Sequence, residues 1–254
     1  MEIISIHPGN IDQEHICCAI GNDQPNTRRA SSKKEWMKAR FEEGLVFKRF
    51  DQRGKLFIEY MPIETVWKPI EGNNYMVISC LWVSGQFKGK KLSSQLLGEC
   101  IKDARAKNMD GVAVVTSNKV KPFLTDKKFF LHHGFELVDS AYPYFELLTL
   151  KLNKNAESPR FSPLAKNGTC PHPEGFAFIY SNQCPFMEEY TGLLSEVLKR
   201  KSIPCKIIHL ESCSEAQQWG SPFGTLGMYF NGRFVTHELM PVKKFEQFLE
   251  TLLQ

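Results

Sequence analysis

Nine consecutive residues without a charge, Tyr75–Val83 (YMVISCLWV), are followed by a loop with two glycines and three lysines, Ser84–Lys91 (SGQFKGKK). Leu92, Leu96, Leu97, Cys100, Ile101 and Ala104 come next, at helical spacing. The uncharged run is shorter than the ~20 residues of a membrane span. Its Val, Ile, Tyr and Trp favour a strand buried on both faces. The spacing beyond it defines an amphipathic helix. This unit constrains the chain more than any other feature, because a buried strand feeding a helix belongs inside an α/β sheet. The first amides of such a helix have no partners, and its dipole favours an anion there. Lys88, Lys90 and Lys91 add positive charge, and Gly89 permits close backbone approach.

The flanking sequence supplies the rest of a sheet. Glu2–Ile6 reads as a strand. Asn10 is expected to cap a helix over 11–20 that carries Cys17 and Cys18 on its apolar face. Ser32 is expected to cap a second helix over 31–43, stopped by Gly44. Leu45–Phe50 and Lys55–Met61 form a hairpin around Asp51-Gln52-Arg53-Gly54. Gly111–Val115 is another buried strand, 126–133 a short helix, and Phe135–Val138 and Phe145–Leu152 two further strands.

Residues 75–150 resemble the core of the GCN5-related N-acetyltransferase (GNAT) superfamily. Its phosphate-gripping motif, R/Q-x-x-G-x-G/A, falls on Lys88-Gly89-Lys90-Lys91-Leu92-Ser93. The family's two glycines are then Lys91 and Ser93; a frame starting at Gln86 recovers Gly89 but ends on Lys91. Asn118 stands where the family often places an asparagine facing the pantetheine arm. Phe129-Phe130-Leu131-His132-His133-Gly134-Phe135-Glu136 is similar to the family's F-Y-x-x-x-G-F-E. The resemblance implies a mixed sheet flanked by helices and acetyl-CoA as co-substrate. Leu81, Trp82 and Val83 on the splayed strand, Lys88 to Ser94 (Leu92, Ser93 and Ser94 through their amides), Asn118 and Phe130 would bind it. The family's tyrosine acid is Phe130 here, which can only line the coenzyme tunnel. Glu59 and Glu64 are the nearest candidate bases, and Tyr142 and Tyr144 the candidate acids.

Residues 153–169 carry two prolines and few apolar residues and read as a linker. The strand–helix pattern restarts after them: Phe176–Tyr180, a helix opened by Cys184-Pro185, Cys205–His209, a helix over Cys213–Trp219, a hairpin around Asn231-Gly232, and a final helix over Pro241–Leu253. That order resembles a thioredoxin fold. Cys184 stands where C-x-x-C opens the first helix, with Met187 replacing the second cysteine. A thiol at a helix start is expected to favour thiolate. Ser221-Pro222-Phe223-Gly224-Thr225 stands where that fold carries a cis-proline.

The expected organisation is therefore α/β (α+β): a GNAT domain over 1–152, a linker over 153–169 and a smaller thioredoxin-like domain over 170–254. Together the two halves are similar to bacterial YoaP-like acetyltransferases. Charge excludes little but is informative. The chain has 254 residues and a net +4, with +3 in residues 1–150 and +1 in the remainder, so no half has the concentrated basic face of a nucleic-acid binder. No secretory leader is read at the N-terminus, and the eight cysteines are expected to be reduced thiols of a cytoplasmic protein rather than a disulfide framework. Adjacent His132 and His133 point apart on a helix, and Cys205 and Cys213 are too far apart in sequence for a tight zinc pair, so no metal is expected. The leading expectation is acetyl transfer to the amine of a small molecule or peptide. The alternative is a coenzyme A-binding or thiol-reactive sensing protein with little turnover. Neither acceptor nor oligomeric state is read from the sequence.

Overall fold

Tyr75–Val83 is the central strand of a seven-stranded sheet in the computed structural model, which describes residues 1–16, 18–219 and 221–253. The first half of the chain runs β1 (Ile3–Ile6), α1 (Gln24–Arg40), β2 (Val46–Phe50), β3 (Leu56–Pro62), β4 (Ile70–Glu71), β5 (Tyr75–Val83), α2 (Leu92–Ala106), β6 (Gly111–Ser117), α3 (Lys127–His132), β7 (Glu136–Ala141) and β8 (Phe145–Lys151). Then come β9 (Arg160–Phe161), α4 (Pro163–Asn167), β10 (Phe176–Tyr180), α5 (Met187–Arg200), β11 (Cys205–His209), α6 (Cys213–Trp219), β12 (Leu226–Phe230), β13 (Arg233–Thr236) and α7 (Val242–Leu252). The large sheet has the order β1-β2-β3-β5-β6-β8-β7, with β5 and β6 parallel and its other pairs antiparallel. The small sheet has the order β11-β10-β12-β13.

The two faces of β5 serve different cores, because successive strand side chains point to opposite sides. Met76, Ile78 and Leu81 join Leu92, Leu96, Leu97 and Cys100 of α2 on one side. Tyr75 and Val77 face the other side, with Trp36 and Met37 of α1. That second cluster does not stop at the first half. It continues through Ala177, Ile179, Tyr229 and Phe234 of the small sheet. The opposite face of the small sheet, Phe176, Phe178 and Met228, packs on Leu194 and Leu198 of α5 and Phe245 of α7.

Four sequence expectations are corrected here. Residues 11–16 and 18–20 form turns, not a helix, and Cys17 lies outside the described residues. Asn10 is committed backwards: its side chain accepts from the His7 amide at 2.9 Å and donates to the Ser5 carbonyl at 2.9 Å, closing a turn at the end of β1. The following helix starts at Gln24, not in the thirties; Asp23 caps it by accepting from the Asn26 amide at 3.0 Å, with Pro25 in the first turn. Part of the stretch expected as a linker is folded, with Phe161 of β9 paired to Ile70 of β4 and Ser162 capping α4. Phe161 and Ala165 are buried. Among the described residues Tyr142–Pro143 is the cis peptide bond, and Ser221–Pro222 is not.

Polar contacts stitch the halves together beside the apolar ones. The Arg29 guanidinium grips Glu189 through two bonds of 2.7 and 2.8 Å, a bidentate geometry stronger than a single contact. Lys121 pairs with Glu238 at 3.1 Å. The Lys68 ammonium, pushed down to about 8 by burial, donates to the Phe223 carbonyl. Tyr144 and His237 share a hydrogen bond of 2.7 Å between the Tyr144 hydroxyl and Nδ1, and His237 Nε2 donates to the Pro122 carbonyl at 2.9 Å. That donation leaves Nδ1 of the neutral ring as acceptor. Burial, with Lys121 and Lys68 nearby, holds the His237 pKa down to about 4. The unfolded chain therefore binds one more proton than the folded chain between about 4 and the free value of about 6.5. Stability carried by His237 should be whole above that window and fall through it on acidification, by of order 3 kcal/mol. Urea unfolding of wild type and His237→Gln at pH 7 and pH 4.5 checks this: the wild type should lose more stability over the interval than the variant.

Candidate active site

The site begins with a fault in a strand ladder. On β3 and β5, Glu59 pairs with Cys80 and Tyr60 with Ile78, so Ser79 is an extra residue with no opposite number. Such a bulge bends its strand and raises the local twist. The parallel pairing of β5 with β6 ends at Ile78 and Val114, directly before it. Beyond that point β6 stays with β8 up to Ser117, while β5 follows β3 to Val83. A wedge opens between the two central strands, and the edge of β5 from Ser79 to Val83 is without a strand partner on that side. The bulge also turns Ser79 and Cys80 to the same side, so Ser79, Cys80 and Trp82 all line one cavity.

The loop leaving β5 is built on left-handed backbone. Gly85 and Gly89 have φ of +62° and +78°, and a Cβ added to either would meet open space. Lys91 has a φ of +58° as the N-cap of α2. A conformation that a glycine adopts without strain is thus held by a lysine. The Lys91 carbonyl accepts from Gln95 at 3.2 Å. The amides of Leu92, Ser93 and Ser94 form the open first turn of the helix, with Lys88, Lys90 and Lys91 exposed beside them. The Ser94 hydroxyl bonds His133 Nε2 at 3.0 Å, fixing α3 against this turn. Asn118 is exposed just past β6, its amide donating to the Tyr144 carbonyl at 3.0 Å.

A cavity of about 350 Å³ lies on the α1 side of β3 and β5, closed by the second half of the chain. Phe57, Glu59 and Trp82 line it from the sheet; Gln183, Phe186 and Thr225 line it from beyond. Glu59 is fully buried. One of its oxygens accepts from Lys33 of α1 at 2.5 Å, and the other accepts from the Gln183 side-chain amide at 2.7 Å. Lys33 also donates to the Gln183 carbonyl at 2.6 Å. Cys18, Cys80 and Cys184 reach the same cavity. Burial raises the pKa of Cys80 well above its ordinary value and that of Cys18 above it as well.

The structure brings together only some of the residues expected at the site. Glu59 and Trp82 meet Cys184 across the cavity. Glu64 is exposed on the turn before β4, accepting from the Asn74 amide at 2.6 Å, and lines a different surface depression. Tyr142 is half exposed, its ring lying where a Cβ on Gly168 would fall. Tyr144 is buried against His237, and burial pushes its hydroxyl pKa up. Phe130 has no exposed surface and packs on Phe129 and Phe135 at 5.1 and 5.2 Å, in the core beneath α2. Leu81 is likewise turned into that core, its carbonyl accepting from the Thr125 hydroxyl at 3.2 Å. Cys184 sits in the turn before α5, which begins at Met187.

Sequence reading missed Lys33, Gln183 and Thr225. Lys33 had a signal. It shares the helix face of Trp36 and Met37 at three- and four-residue spacing, and a charge on an apolar face requires a partner. Its partner was equally marked, as the only charge in the β3 run LFIEYMP.

The fold is that of an α/β protein whose largest, mixed sheet splits to form a cleft and packs beside a smaller four-stranded sheet. A family model described as YoaP-like matches residues 204–247. Over 249 residues the chain is 43% identical to a protein of Bacillus subtilis (strain 168) described as "Uncharacterized N-acetyltransferase YoaP", covering 98% of each chain. The chain belongs to the YoaP-like family. Among solved structures it is similar to the PaiA N-acetyltransferase of Thermoplasma acidophilum in complex with coenzyme A, at 16% identity and a TM-score of 0.41, covering 59% of this chain and 99% of that one. The ribosomal-protein-alanine N-acetyltransferase of Brucella melitensis is similar at 15% identity and a TM-score of 0.41, covering 60% and 100%.

Removing the Lys33 ammonium would strand the Glu59 carboxylate in the interior. Lys33→Met should therefore destabilise the fold by about 3–5 kcal/mol, and Lys33→Met with Glu59→Met should recover most of the loss. Urea unfolding of the two variants measures both; a single variant as stable as wild type would show that the pair is not buried in solution.

Proposed function

We propose that the chain transfers the acetyl group of acetyl-CoA to an amine. The observation that carries this reading is the adjacency of the wedge at Ser79 to the left-handed loop and open helix start at Leu92. The unpaired edge of Ser79–Val83 suits an extended amide-bearing arm, and the amides of Leu92, Ser93 and Ser94 suit its phosphates. The cavity opens on the same stretch of β5. A neutral amine there attacks the thioester carbon; the C–S bond breaks as the tetrahedral intermediate collapses, the coenzyme leaves as thiolate, and the proton lost by the amine nitrogen passes to water. A thiolate is a good leaving group from such an intermediate, so no placed acid is required. This suits a site in which neither Tyr142 nor Tyr144 lines the cavity. Glu59 is the candidate carboxylate beside the acceptor. Its contacts with Lys33 and Gln183 fix its position, so its part is to orient the amine and stabilise developing positive charge; catalysis rests mainly on proximity and electrostatics.

In this reading residues 1–152 hold the donor and residues 170–254 close the acceptor side, joined through 153–169. The second half reads as thioredoxin-like: its strand order, its parallel β10–β11 pair and its antiparallel β12–β13 hairpin support this. The chain works in the cytoplasm, where its thiols stay reduced. A second reading, thiol chemistry at Cys184, is favoured by the position of that residue in the cavity wall.

Calorimetry with coenzyme A tests the donor site. Gly89→Pro removes an amide and cannot adopt the positive φ of this position. It should weaken binding at least about tenfold, or 1.4 kcal/mol, with the thermal midpoint little changed. Equal affinity of variant and wild type would rule out this loop as the phosphate site.

A further inference from the structure

Four residues of the cavity wall carry a buried polar atom without a hydrogen-bond partner among the described residues: Ser79 Oγ, Trp82 Nε1, Gln183 Oε1 and Thr225 Oγ1. Gln183 is 3% exposed and Thr225 9%. Native interiors leave few such atoms, and each costs about 1–3 kcal/mol if unmet. Four around one cavity point to a ligand that meets them. Their chemistry is specific. Gln183 gives its amide N–H to Glu59, so its remaining oxygen can only accept. Trp82 can only donate. The two hydroxyls can do either.

Much of the rest of the wall is apolar, with Phe57, Phe186 and Phe223 among its rings, and the cations lining it are Lys33, paired to Glu59, and Lys55. The one carboxylate lining it, Glu59, is already matched by Lys33 and Gln183. A polycation would bring charges that this wall does not answer, and burying them unpaired is costly. The volume, about 350 Å³, is at the lower end of the roughly 300–1,000 Å³ of small-molecule sites.

Resting on the acetyl-transfer reading above, we propose that the acceptor is a small primary monoamine on an apolar, ring-sized body with one hydrogen-bond acceptor, bound in this cavity. The amine N–H donates to Gln183 Oε1 beside Glu59. The apolar body lies among the rings, and its acceptor atom takes the Trp82 N–H. Polyamines and peptide N-termini are excluded by charge and size. Gln183, Phe186 and Leu239 come from the second half, so that half sets acceptor specificity.

The test is coenzyme A release from acetyl-CoA with three probes: 2-(4-methoxyphenyl)ethylamine, spermidine and a decapeptide with a free N-terminus. The arylalkylamine should be acetylated with a kcat/KM at least about a hundredfold above the other two. Leu239→Trp, which fills the cavity, should raise its KM at least about tenfold while calorimetric affinity for coenzyme A stays at the wild-type value, which also reports folding. Gln183→Glu, which replaces the accepting amide by a second carboxylate, should lower kcat/KM for the arylalkylamine with the same donor affinity. If coenzyme A binds but spermidine or the decapeptide is the better acceptor, the acceptor class is wrong and the transferase reading stands. If Leu239→Trp leaves the arylalkylamine KM unchanged, the cavity is not the acceptor site. If coenzyme A does not bind the wild type, both readings fall.

Discussion

A buried ion pair holds the two halves of this molecule in register. Glu59 on β3, Lys33 on α1 and Gln183 before α5 come from three separate stretches of chain, and each satisfies the other two. The Coulomb attraction of the pair is offset by the cost of removing both charges from water. What the arrangement provides is specificity of docking. Any packing of the second half that moved Gln183 away would leave a carboxylate oxygen and an ammonium hydrogen unmatched in an apolar interior, whereas apolar contacts such as those of Phe234 tolerate small shifts. The cavity wall inherits that definition, because Gln183 and Cys184 are adjacent in sequence.

The proposed donor side has a different origin. It is made by one contiguous stretch from Tyr75 to Ser94, in which a bulge, a left-handed loop and a helix start follow one another. Local geometry is enough to form that stretch, and this is why its strand and helix were legible. β5, α2, β10, β11 and α6 were read to within a residue or two because apolar runs and helical spacing are local signals. The α1 helix was not, because QPNTRRASSKKEWMKAR has little apolar periodicity; its start was marked instead by Asp23 and Pro25. The region after Asn10 carries buried Ile11, Ile16 and Ala19 at spacings that suggest a helix, but Asn10 spends its side chain on the strand behind it.

The acceptor side was largely illegible for a physical reason. Its wall draws on β3, β5, the turn before α5 and the segments around Phe223 and Leu239, which meet only when the small sheet docks on the large one. Cys184 and the segment 221–225 stood out in the sequence as a thiol position and a proline loop, but nothing there marks the side chain of Gln183 or Thr225 as facing a cavity. The misplacement of Phe130 has the same root. Its place in a familiar motif is local, but the packing of Phe129 and Phe135 around it turns the ring into the core.

The docked geometry also bears on how an acceptor enters. Swinging the halves apart would break the Lys33 bond to the Gln183 carbonyl, the Lys68 bond to the Phe223 carbonyl and the Tyr144–His237 bond together. Hydrogen bonds to charged groups are worth about 1.5–3 kcal/mol each, before the apolar surface shared by the two sheets is counted. A substrate whose binding required that opening would forfeit much of its affinity to the separation. Entry through side-chain movement costs far less: Phe186 and Leu239 are only partly buried, and Phe186 is held by the Arg29 guanidinium at 5.1 Å from its ring. Rotamer changes at such positions occur within nanoseconds to microseconds, well inside an ordinary turnover. A cavity that opens by moving one or two side chains admits small molecules and excludes chains, so the strength of the docking interface and the size of the acceptor are two consequences of the same packing.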